Sequence, residues 1–253
     1  MKLSKLLLLA LATTATSLFA QTSTINLPDT GAGGAGNVDP NWFVYKFSST
    51  SGLNVVTGAP GLNTYLAALN NSTVTTVATA RDATPFSSSW VTPTATGATW
   101  LSIQNSGIQA AHDQSGGGGY AFVYNLGAAF SGVNADFSNN VALSFRLNGD
   151  NGFSAHLTSL LGTQFVGGPA LLGSTASNFN SVSGVTVSYT GLVSQTTSLV
   201  ILLSNDVQPT GNPGGILVQD FSGSYTAVPE PSTYAMVLGA MTLGLVGWRR
   251  FRK

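Results

Sequence analysis

Short apolar runs separated by turn residues recur along most of the chain. Residues 141–147 and 185–189 alternate apolar with polar side chains, which indicates strands with one buried and one wetted face. Residues 199–203 are apolar throughout, and this predicts a central strand with both faces covered. Further strands are predicted at 42–47, 73–79, 99–103, 120–126 and 216–222. Such a series of short strands is typical of an all-β sandwich.

The same pattern sets the expected limits of the folded domain. Residues 21–37 end in a Gly-Ala-Gly-Gly-Ala-Gly run, so we expect a flexible arm there and a β-sandwich domain over 38–227. Residues 148–152 read Asn-Gly-Asp-Asn-Gly directly after a predicted strand, which is the composition of a turn. Residues 64–70 predict a short helix.

Charge is the unusual feature of the composition, because only 7% of the residues are charged, against about 25% in a typical soluble domain. Most of the basic residues are terminal. Between the two ends, three cations stand against eight aspartates, a net charge of −5. A mildly acidic body does not neutralise phosphates, so no nucleic-acid partner is expected. The absence of cysteine excludes disulfides and thiolate metal sites.

The first 20 residues have the three parts of a secretory signal peptide. Lys2 and Lys5 precede a short apolar core, and a stretch of small residues then leads to Ala20. We predict cleavage between Ala20 and Gln21, with residues 15–17 as a second acceptable site. The apolar core is too short to span a bilayer, so the alternative is a buried N-terminal helix.

The C-terminal end also has three parts. Val228-Pro229-Glu230-Pro231 comes first, and its two prolines prevent a helix from running through it. The apolar stretch that follows predicts a single transmembrane helix at about 232–248. Moving four cations through hydrocarbon costs on the order of 10 kcal/mol, so the basic tail 249–253 is expected to stay in the cytoplasm. Its cations are Arg249, Arg250, Arg252 and Lys253.

This order of a Val-Pro-Glu-Pro motif, a short glycine-containing apolar span and an arginine-rich end resembles the PEP-CTERM sorting signal of Gram-negative bacteria. The resemblance covers residues 228–253. It implies recognition by an exosortase-type membrane peptidase, a transient stay in the inner membrane and removal of the anchor near Pro-Glu-Pro. It also implies a final place at the outer surface or outside the cell, in association with exopolysaccharide and biofilm. The alternative is an ordinary single-span anchor that is never processed.

The body carries a second resemblance, to a type of domain found upstream of this signal and similar to galactose-binding-like jelly rolls. The residues that carry it are Asp39-Pro-Asn-Trp42, Ser89-Trp90-Val91, 98–103, 120–124 and 212–218. Two elements of that domain type are altered here. Its acidic Ala-Asp-Asn run is matched only by Gly-Asp-Asn at 149–151, at a shifted position, and its Asn-Pro-Thr-Gly run reads Asn-Pro-Gly-Gly at 212–215. The resemblance implies a jelly-roll fold and suggests a structural calcium ion.

The sequence contains few candidate catalytic residues. The body has no glutamate before Glu230, and His112 and His156 lie far apart without a second histidine at metal-ligand spacing. A Ser-His-Asp set can be chosen from any serine-rich chain, so it has no diagnostic value. We therefore expect no enzyme and no catalytic residue, with a secreted hydrolase as the most distant alternative.

Ligand binding has a few candidate residues. Asp150 and Asp206 are weak candidate calcium ligands, although aspartates in strand-connecting turns need no metal, and no other cofactor is expected. Trp90 and Trp100 are candidate sugar contacts, because indole faces stack on pyranose rings, and Trp90 is expected to be the more exposed of the two. The alternative, which we favour for each, is that these rings belong to the core.

The two ends and the body together predict an exported surface or extracellular-matrix protein. The prediction is that an exosortase sorts it through the C-terminal motif and that its body is structural or associated with exopolysaccharide. A lectin-like carbohydrate-binding module is the alternative function.

Overall fold

The described part of the chain is built mostly from β-strands. The computed structural model describes residues 21–34, 37–47, 74–83, 90–102, 118–130, 140–150, 152–161, 164–175, 177–193, 197–205, 214–227 and 231–252. Several predicted features lie outside these residues: the signal peptide 1–20 with Ala20, the helix at 64–70, and His112, Asp206, Val228, Pro229, Glu230 and Lys253.

Eleven strands and two helices follow one another in the described residues. The strands are β1 Gln21–Asn26, β2 Val38–Phe47, β3 Val74–Ala83, β4 Trp100–Ser102, β5 Gly118–Asn125, β6 Asn140–Gly149, β7 Phe153–Leu161, β8 Gln164–Thr175, β9 Val185–Leu192, β10 Thr197–Asn205 and β11 Ile216–Ala227. The helices are α1 Leu126–Phe130 and α2 Pro231–Arg250. All eight predicted strands are present.

The strands form one hydrogen-bonded path that folds into two layers. The path runs β8-β7-β10-β5-β2-β3-β4-β11-β6-β9, and β1 pairs with β11 beside it. The short strand β4 joins the layers, because it makes three pairs with β3 and a single pair, Leu101 with Ile216, with β11. At the other side the edge strands approach each other, since a Cβ added at Gly173 of β8 would lie 3.7 Å from Val187 of β9.

Aromatic and aliphatic side chains from both layers fill the space between them. Tyr124 of β5 meets Phe221 of β11 with ring centroids 5.3 Å apart, and Phe221 in turn meets Phe145 of β6 at the same distance. Edge-to-face geometry of this kind is favourable beyond the area it buries. The body of the chain is thus an all-β sandwich, as the strand pattern predicted. This architecture is consistent with the jelly-roll fold that the resemblance implied.

Two of the predicted burial patterns are confirmed. In β6, the alternate residues Val141, Leu143, Phe145 and Leu147 are buried, while Ala142 is exposed and Arg146 is half-buried. Strand β10 lies between β5 and β7, and residues 199–203 are fully buried on both of its faces. A continuous apolar run therefore marked a central strand, for the reason that both of its faces pack against other residues.

The flexible arm predicted over 21–37 is wrong for most of its length. Residues 21–26 form β1, Leu27 is buried in the main core, and Thr30 is fully buried. The Thr30 hydroxyl accepts a hydrogen bond from Val218 N at 3.1 Å, and Asp39 Oδ2 accepts one from Gly31 N at 2.9 Å. The glycines signal tight turns here: Gly31 has a φ of 119°, and a Cβ on it would lie 2.6 Å from Gly97 O.

Candidate functional sites at the two ends of strand β11

Strand β11 separates two regions of functional interest. Its first residue, Ile216, lies beside a group of loops that we call the distal loop cluster, made of residues 90–99, 148–150, 177–184 and 214–215 together with the strand residues Trp100 and Leu217 that pack against them. Its last residue, Ala227, leads towards α2. At about 3.3 Å per residue the strand places these two regions roughly 35 Å apart.

A stacked pair of tryptophans forms the centre of the distal loop cluster. The rings of Trp90 and Trp100 lie 4.4 Å apart, and Trp90 Nε1 donates a hydrogen bond of 2.7 Å to Asp150 Oδ2. Trp100 Nε1 donates to Val91 O at 3.0 Å. Ala98 and Leu217 complete this second, smaller core. Both indole N–H groups are therefore satisfied inside the protein, as buried indoles require.

Trp90, expected from the sequence to be the best exposed candidate, is buried. Trp90 is 6% exposed and Trp100 is 0% exposed, so neither ring presents a face to solvent. The reason is that the 90–99 loop folds back over the sheet, and Gly215 leaves room for the Trp90 ring: a Cβ there would lie 2.9 Å from it. The structure places both tryptophans in a core, the alternative favoured from the sequence.

Two asparagines fasten the 177–184 loop to the end of β6. Asn148 Nδ2 donates to the carbonyl oxygens of Asn178 and Ser181, at 2.9 and 2.8 Å. Asn178 returns the contact, because its Oδ1 accepts from Gly149 N at 2.8 Å and its Nδ2 donates to Leu147 O at 3.0 Å. The two side-chain amides thus form hydrogen bonds with backbone N–H and C=O groups that have no neighbouring strand to pair with. Leaving such groups unpaired in the interior would be costly.

The 90–99 loop is fastened in a similar way from β11. Gln219 Oε1 accepts hydrogen bonds from Thr94 N at 2.7 Å and from Ala95 N at 3.1 Å. Arg146 Nη2 donates to Thr94 Oγ1 at 2.7 Å, and Arg146 also pairs with Asp220. Gln219 and Asn178 were not among the residues predicted from the sequence, since a single amide side chain carries no signal of its distant partner.

Asp150, one of the two calcium candidates, is 7% exposed and has an indole N–H as a partner. Among the described residues, no group of three or more histidine or acidic side chains comes together in a way that could hold a metal ion. Asp206, the other candidate, lies outside the described residues. Calcium binding by Asp150 or Asp206 stays a prediction.

His156 lies on β7 and is 2% exposed. Its Nε2 is 2.8 Å from Ser154 Oγ, whereas its Nδ1 has no hydrogen-bond partner among the residues that the structure describes. Burial lowers the pKa of His156 from 6.5 to about 4, so the ring is neutral at neutral pH. A serine and a histidine within hydrogen-bonding distance form part of a hydrolytic site only when substrate can reach them, and this pair is buried.

At the opposite end of β11, helix α2 follows the sandwich after three residues, 228–230. The helix begins at Pro231, a residue suited to the first helical position because it lacks the N–H that would be unpaired there. The Thr242 hydroxyl donates to Leu238 O at 2.7 Å, so it presents no unpaired donor. Large apolar side chains along the helix are exposed: Leu238, Met241, Leu243, Leu245, Val246 and Trp248.

A helix is thus present at the position predicted for the transmembrane helix, 232–248, and is slightly longer than expected, whereas its crossing of a membrane stays a prediction. Arg249 and Arg250 lie in its last turn, where cations interact favourably with the helix dipole. The Arg252 guanidinium lies 4.2 Å from the centre of the Trp248 ring. In the described stretches of the chain, no helix combines the length and the apolarity that crossing a membrane requires.

Comparison with protein-family models decides what this segment is. Residues 227–253 match the model of the PEP-CTERM protein-sorting motif. The C-terminal segment is a PEP-CTERM sorting motif. The resemblance seen in the sequence is therefore confirmed for the tail, and the motif begins at the last residue of β11.

Comparison with solved structures finds distant similarities to the body. They include the CBM22-1–GH10 modules of endo-1,4-β-D-xylanase 10B from Clostridium thermocellum (12% identity, TM-score 0.25, 46% of this chain and 23% of that one). A PA14 sugar-binding domain from an RTX adhesin is 11% identical, with a TM-score of 0.34 over 74% of this chain and 98% of that one. A family 35 carbohydrate binding module from Clostridium thermocellum is 14% identical, with a TM-score of 0.27 over 54% of this chain and 85% of that one. At such TM-scores these similarities support no functional argument. A comparison with curated proteins returned no match.

The PEP-CTERM motif lies next to the other end of the sandwich chain. Strand β1 pairs antiparallel with β11 in a register that places Gln21 opposite Ala227 and Asn26 opposite Ser222. Gln21 is the predicted first residue of the mature chain, and Ala227 is the first residue of the motif. The two predicted processing positions thus meet at one end of the sheet, a proximity that the sequence alone gave no means to predict.

Proposed function

We propose that this chain is an exported surface protein that an exosortase-type peptidase processes through its C-terminal tail. The observation that carries the proposal is the match of residues 227–253 to the PEP-CTERM protein-sorting motif. The signal peptide predicted at 1–20 supplies the export step that such sorting requires. The released body then takes its place at the outer surface or outside the cell.

The physical character of α2 supports a stay at the inner membrane before processing. Its exposed apolar side chains gain free energy on leaving water, and its apolar part, residues 232–248, is about 25 Å long at 1.5 Å per residue, slightly short of a hydrocarbon core of about 30 Å. Arg249 and Arg250 end the helix, with Arg252 against Trp248, an aromatic and cationic pair suited to the interface. Because these cations stay on the cytoplasmic side, the sandwich lies on the opposite side.

The body fits a structural role among neutral polysaccharide. Its outward-facing positions on β6 and β9 are short and mostly uncharged, for example Ser144, Thr186 and Ser188. Hydroxyl groups bond to water and to sugar hydroxyls alike, without the desolvation cost of a charge.

A lectin-like role would need contact residues other than those predicted. The rings of Trp90 and Trp100 face each other and the sheet, so they cannot stack on a sugar in this conformation. A glycan array probed with the body, residues 21–228, separates the two roles. Saturable binding to one glycan would favour the lectin, and its absence would favour the structural role.

Substitution in the motif tests the sorting mechanism. In producing cells, we expect the full chain with Glu230→Ala or Pro231→Ala to remain unprocessed and membrane-retained. Ser232→Ala, directly after the Val-Pro-Glu-Pro residues, is the matched control and should be processed normally. Immunoblots of membrane and medium fractions provide the measurement. Release of the two motif variants at the wild-type level would overturn the proposal.

A further inference from the structure

Strand β9 is an edge strand that lacks the features by which sheet edges are usually protected. In the described part of the chain it pairs with β6 alone, and this ladder has no register shift. Residues 185–192 read Val-Thr-Val-Ser-Tyr-Thr-Gly-Leu, without a proline or a charged residue. A regular, uncharged edge of this length presents backbone N–H and C=O groups with which another strand can pair.

The opposite end of the sheet path, strand β8, is protected. It contains Gly167, Gly168 and Pro169, and its ladder with β7 shifts register at two places. Proline has no N–H to donate to a new neighbour, and irregularities of the ladder turn an edge away from a flat partner. The fold therefore opposes pairing at β8 and permits it at β9.

The side chains of β9 form an inner and an outer row. Val187 of the inner row is buried and faces β8, where a Cβ added at Gly173 would lie 3.7 Å from it. The outer row of Thr186, Ser188 and Thr190 is exposed. Strand β8 thus approaches β9 from the inside of the sandwich, and the outer row stays in contact with solvent.

Two exposed apolar side chains flank this strand. Val182 and Leu192 are each 61% exposed, the highest value among the large apolar residues of the described sandwich. Val182 precedes β9 by three residues, and Leu192 is its last residue. Antiparallel pairing places the start of one strand beside the end of its partner. A second copy of β9 would therefore bring Leu192 of each chain next to Val182 of the other and remove both from water.

We propose that β9 is a docking edge for a second copy of this chain, so that two sandwiches share one continuous sheet. The two β9 strands run antiparallel about a two-fold axis at Ser188. Thr186 then lies opposite Thr190 of the second copy, and Val187 lies opposite its Tyr189. Hydroxyl pairs and aromatic–β-branched pairs are favourable across strands, and no like charges meet. Pairing at this edge does not depend on processing of the C-terminal tail.

Disulfide cross-linking tests the pairing, because the chain has no native cysteine. Ser188→Cys places two thiols at the axis, where opposed Cα atoms lie about 4.5–5.5 Å apart, within disulfide range. Thr190→Cys is the matched control on the same exposed row, and its two copies would be roughly 14 Å apart, four residues along the strands. Two short edges make a small and weak interface, so covalent capture is a better measurement than gel filtration.

The purified full chain with Ser188→Cys, oxidised in mild detergent, is expected to give at least ten times as much covalent dimer on non-reducing gels as Thr190→Cys. Mixing Thr186→Cys chains with Thr190→Cys chains should restore the dimer, because these two positions meet in the proposed register. Equal yields from Ser188→Cys and Thr190→Cys would show random collision and would overturn the proposal. A Ser188→Cys chain that stays monomeric would overturn it as well.

Charges at the opposed threonines provide a second test in the Ser188→Cys background. Thr186→Lys with Thr190→Lys sets like charges opposite each other and should lower the dimer yield at least fivefold. Thr186→Glu with Thr190→Glu should do the same, and a 1:1 mixture of the two variants should restore the yield. Thr22→Lys with Thr24→Lys adds the same charge at exposed positions of β1 and should leave the yield unchanged. An equal loss in both lysine variants would indicate a general effect of charge and would contradict docking at β9.

Discussion

At one end of β11, a single continuous segment carries the whole sorting motif; at the other end, side chains from four separate loops build the distal loop cluster. Most of the motif's apolar side chains that the structure describes are exposed, whereas the cluster buries Trp90, Trp100 and Leu217. The difference teaches which chemistry each region serves. The motif is made to be recognised by another molecule, and the cluster is made to hold the body together.

The largest effect is expected in the centre of the cluster. Trp100→Ala removes a fully buried ring that stacks on Trp90, and core Trp or Phe to Ala changes cost about 3–5 kcal/mol. Urea unfolding of the purified body gives the loss of stability. If the two regions are independent, the small amount of folded variant should still be processed through Glu230 in cells.

Trp100→Phe is the control for that experiment, because it keeps an aromatic ring in the same space. It should cost clearly less than the alanine variant. A loss below about 1 kcal/mol for Trp100→Ala would contradict the assignment of the cluster as a core.

The second effect depends on pH and arises in β7, away from both regions. The pKa of His156 is about 4 in the folded protein and near 6.5 when unfolded, so between these values the unfolded state binds the extra proton. Stability is therefore full above pH 6.5 and falls as the pH drops towards 4. The total loss is on the order of 3 kcal/mol from this one residue.

Unfolding curves at several pH values between 7 and 4 measure this slope. His156→Leu should flatten it. An unchanged slope in His156→Leu would show that other groups govern the acid response.

A smaller effect is expected at the hydrogen bond that ties the 90–99 loop to the β6–β7 connection. Trp90→Phe keeps an aromatic ring against Trp100 but removes the donor to Asp150 Oδ2, leaving a buried carboxylate with one partner fewer. Such losses cost about 1–3 kcal/mol. In a double-mutant cycle with Asp150→Asn, the coupling should exceed 0.5 kcal/mol, and additive losses would show that the contact has no energetic weight.

These contrasts explain what the sequence could and could not predict. Local alternation or continuous apolar runs predicted eight strands. The order of its three parts along the chain predicted the C-terminal sorting motif. Strand β7 was missed although Phe153, Ala155 and Leu157 alternate with polar residues. Strand β8 contains Gly167, Gly168 and Pro169, which read as a loop and are tolerated because β8 is an edge strand.

Other features had no local signal at all. Strand β1 is almost wholly polar and exists because β11 offers it a ladder partner about 200 positions away. The distal loop cluster joins Trp90 to Asp150 over 60 positions and Thr94 to Gln219 over 125. Pairings at such separations depend on the completed fold, so single-residue patterns predict the tail far better than they predict the cluster.

The smallest effect concerns the β-bulge in β11, which lies between the two regions. Asp220 has a φ of 55°, the left-handed region, and the register with β6 shifts between Gln219 and Ser222. The bulge lets Gln219 reach the 90–99 loop while the next core residue, Phe221, packs inside. Because Asp220 is largely exposed, its ion pair with Arg146 contributes little, about 0–1 kcal/mol.

Two substitutions at this position separate backbone strain from charge. Both Asp220→Gly and Asp220→Ala lose the ion pair, but only glycine adopts a positive φ without steric cost. We therefore expect the glycine variant to be more stable than the alanine variant by about 1 kcal/mol, and nearly as stable as the wild type. Urea unfolding provides the comparison. Equal stability of the two variants would mean that the strand straightens when Asp220 is replaced, and the distal loop cluster would then lose its hold through Gln219.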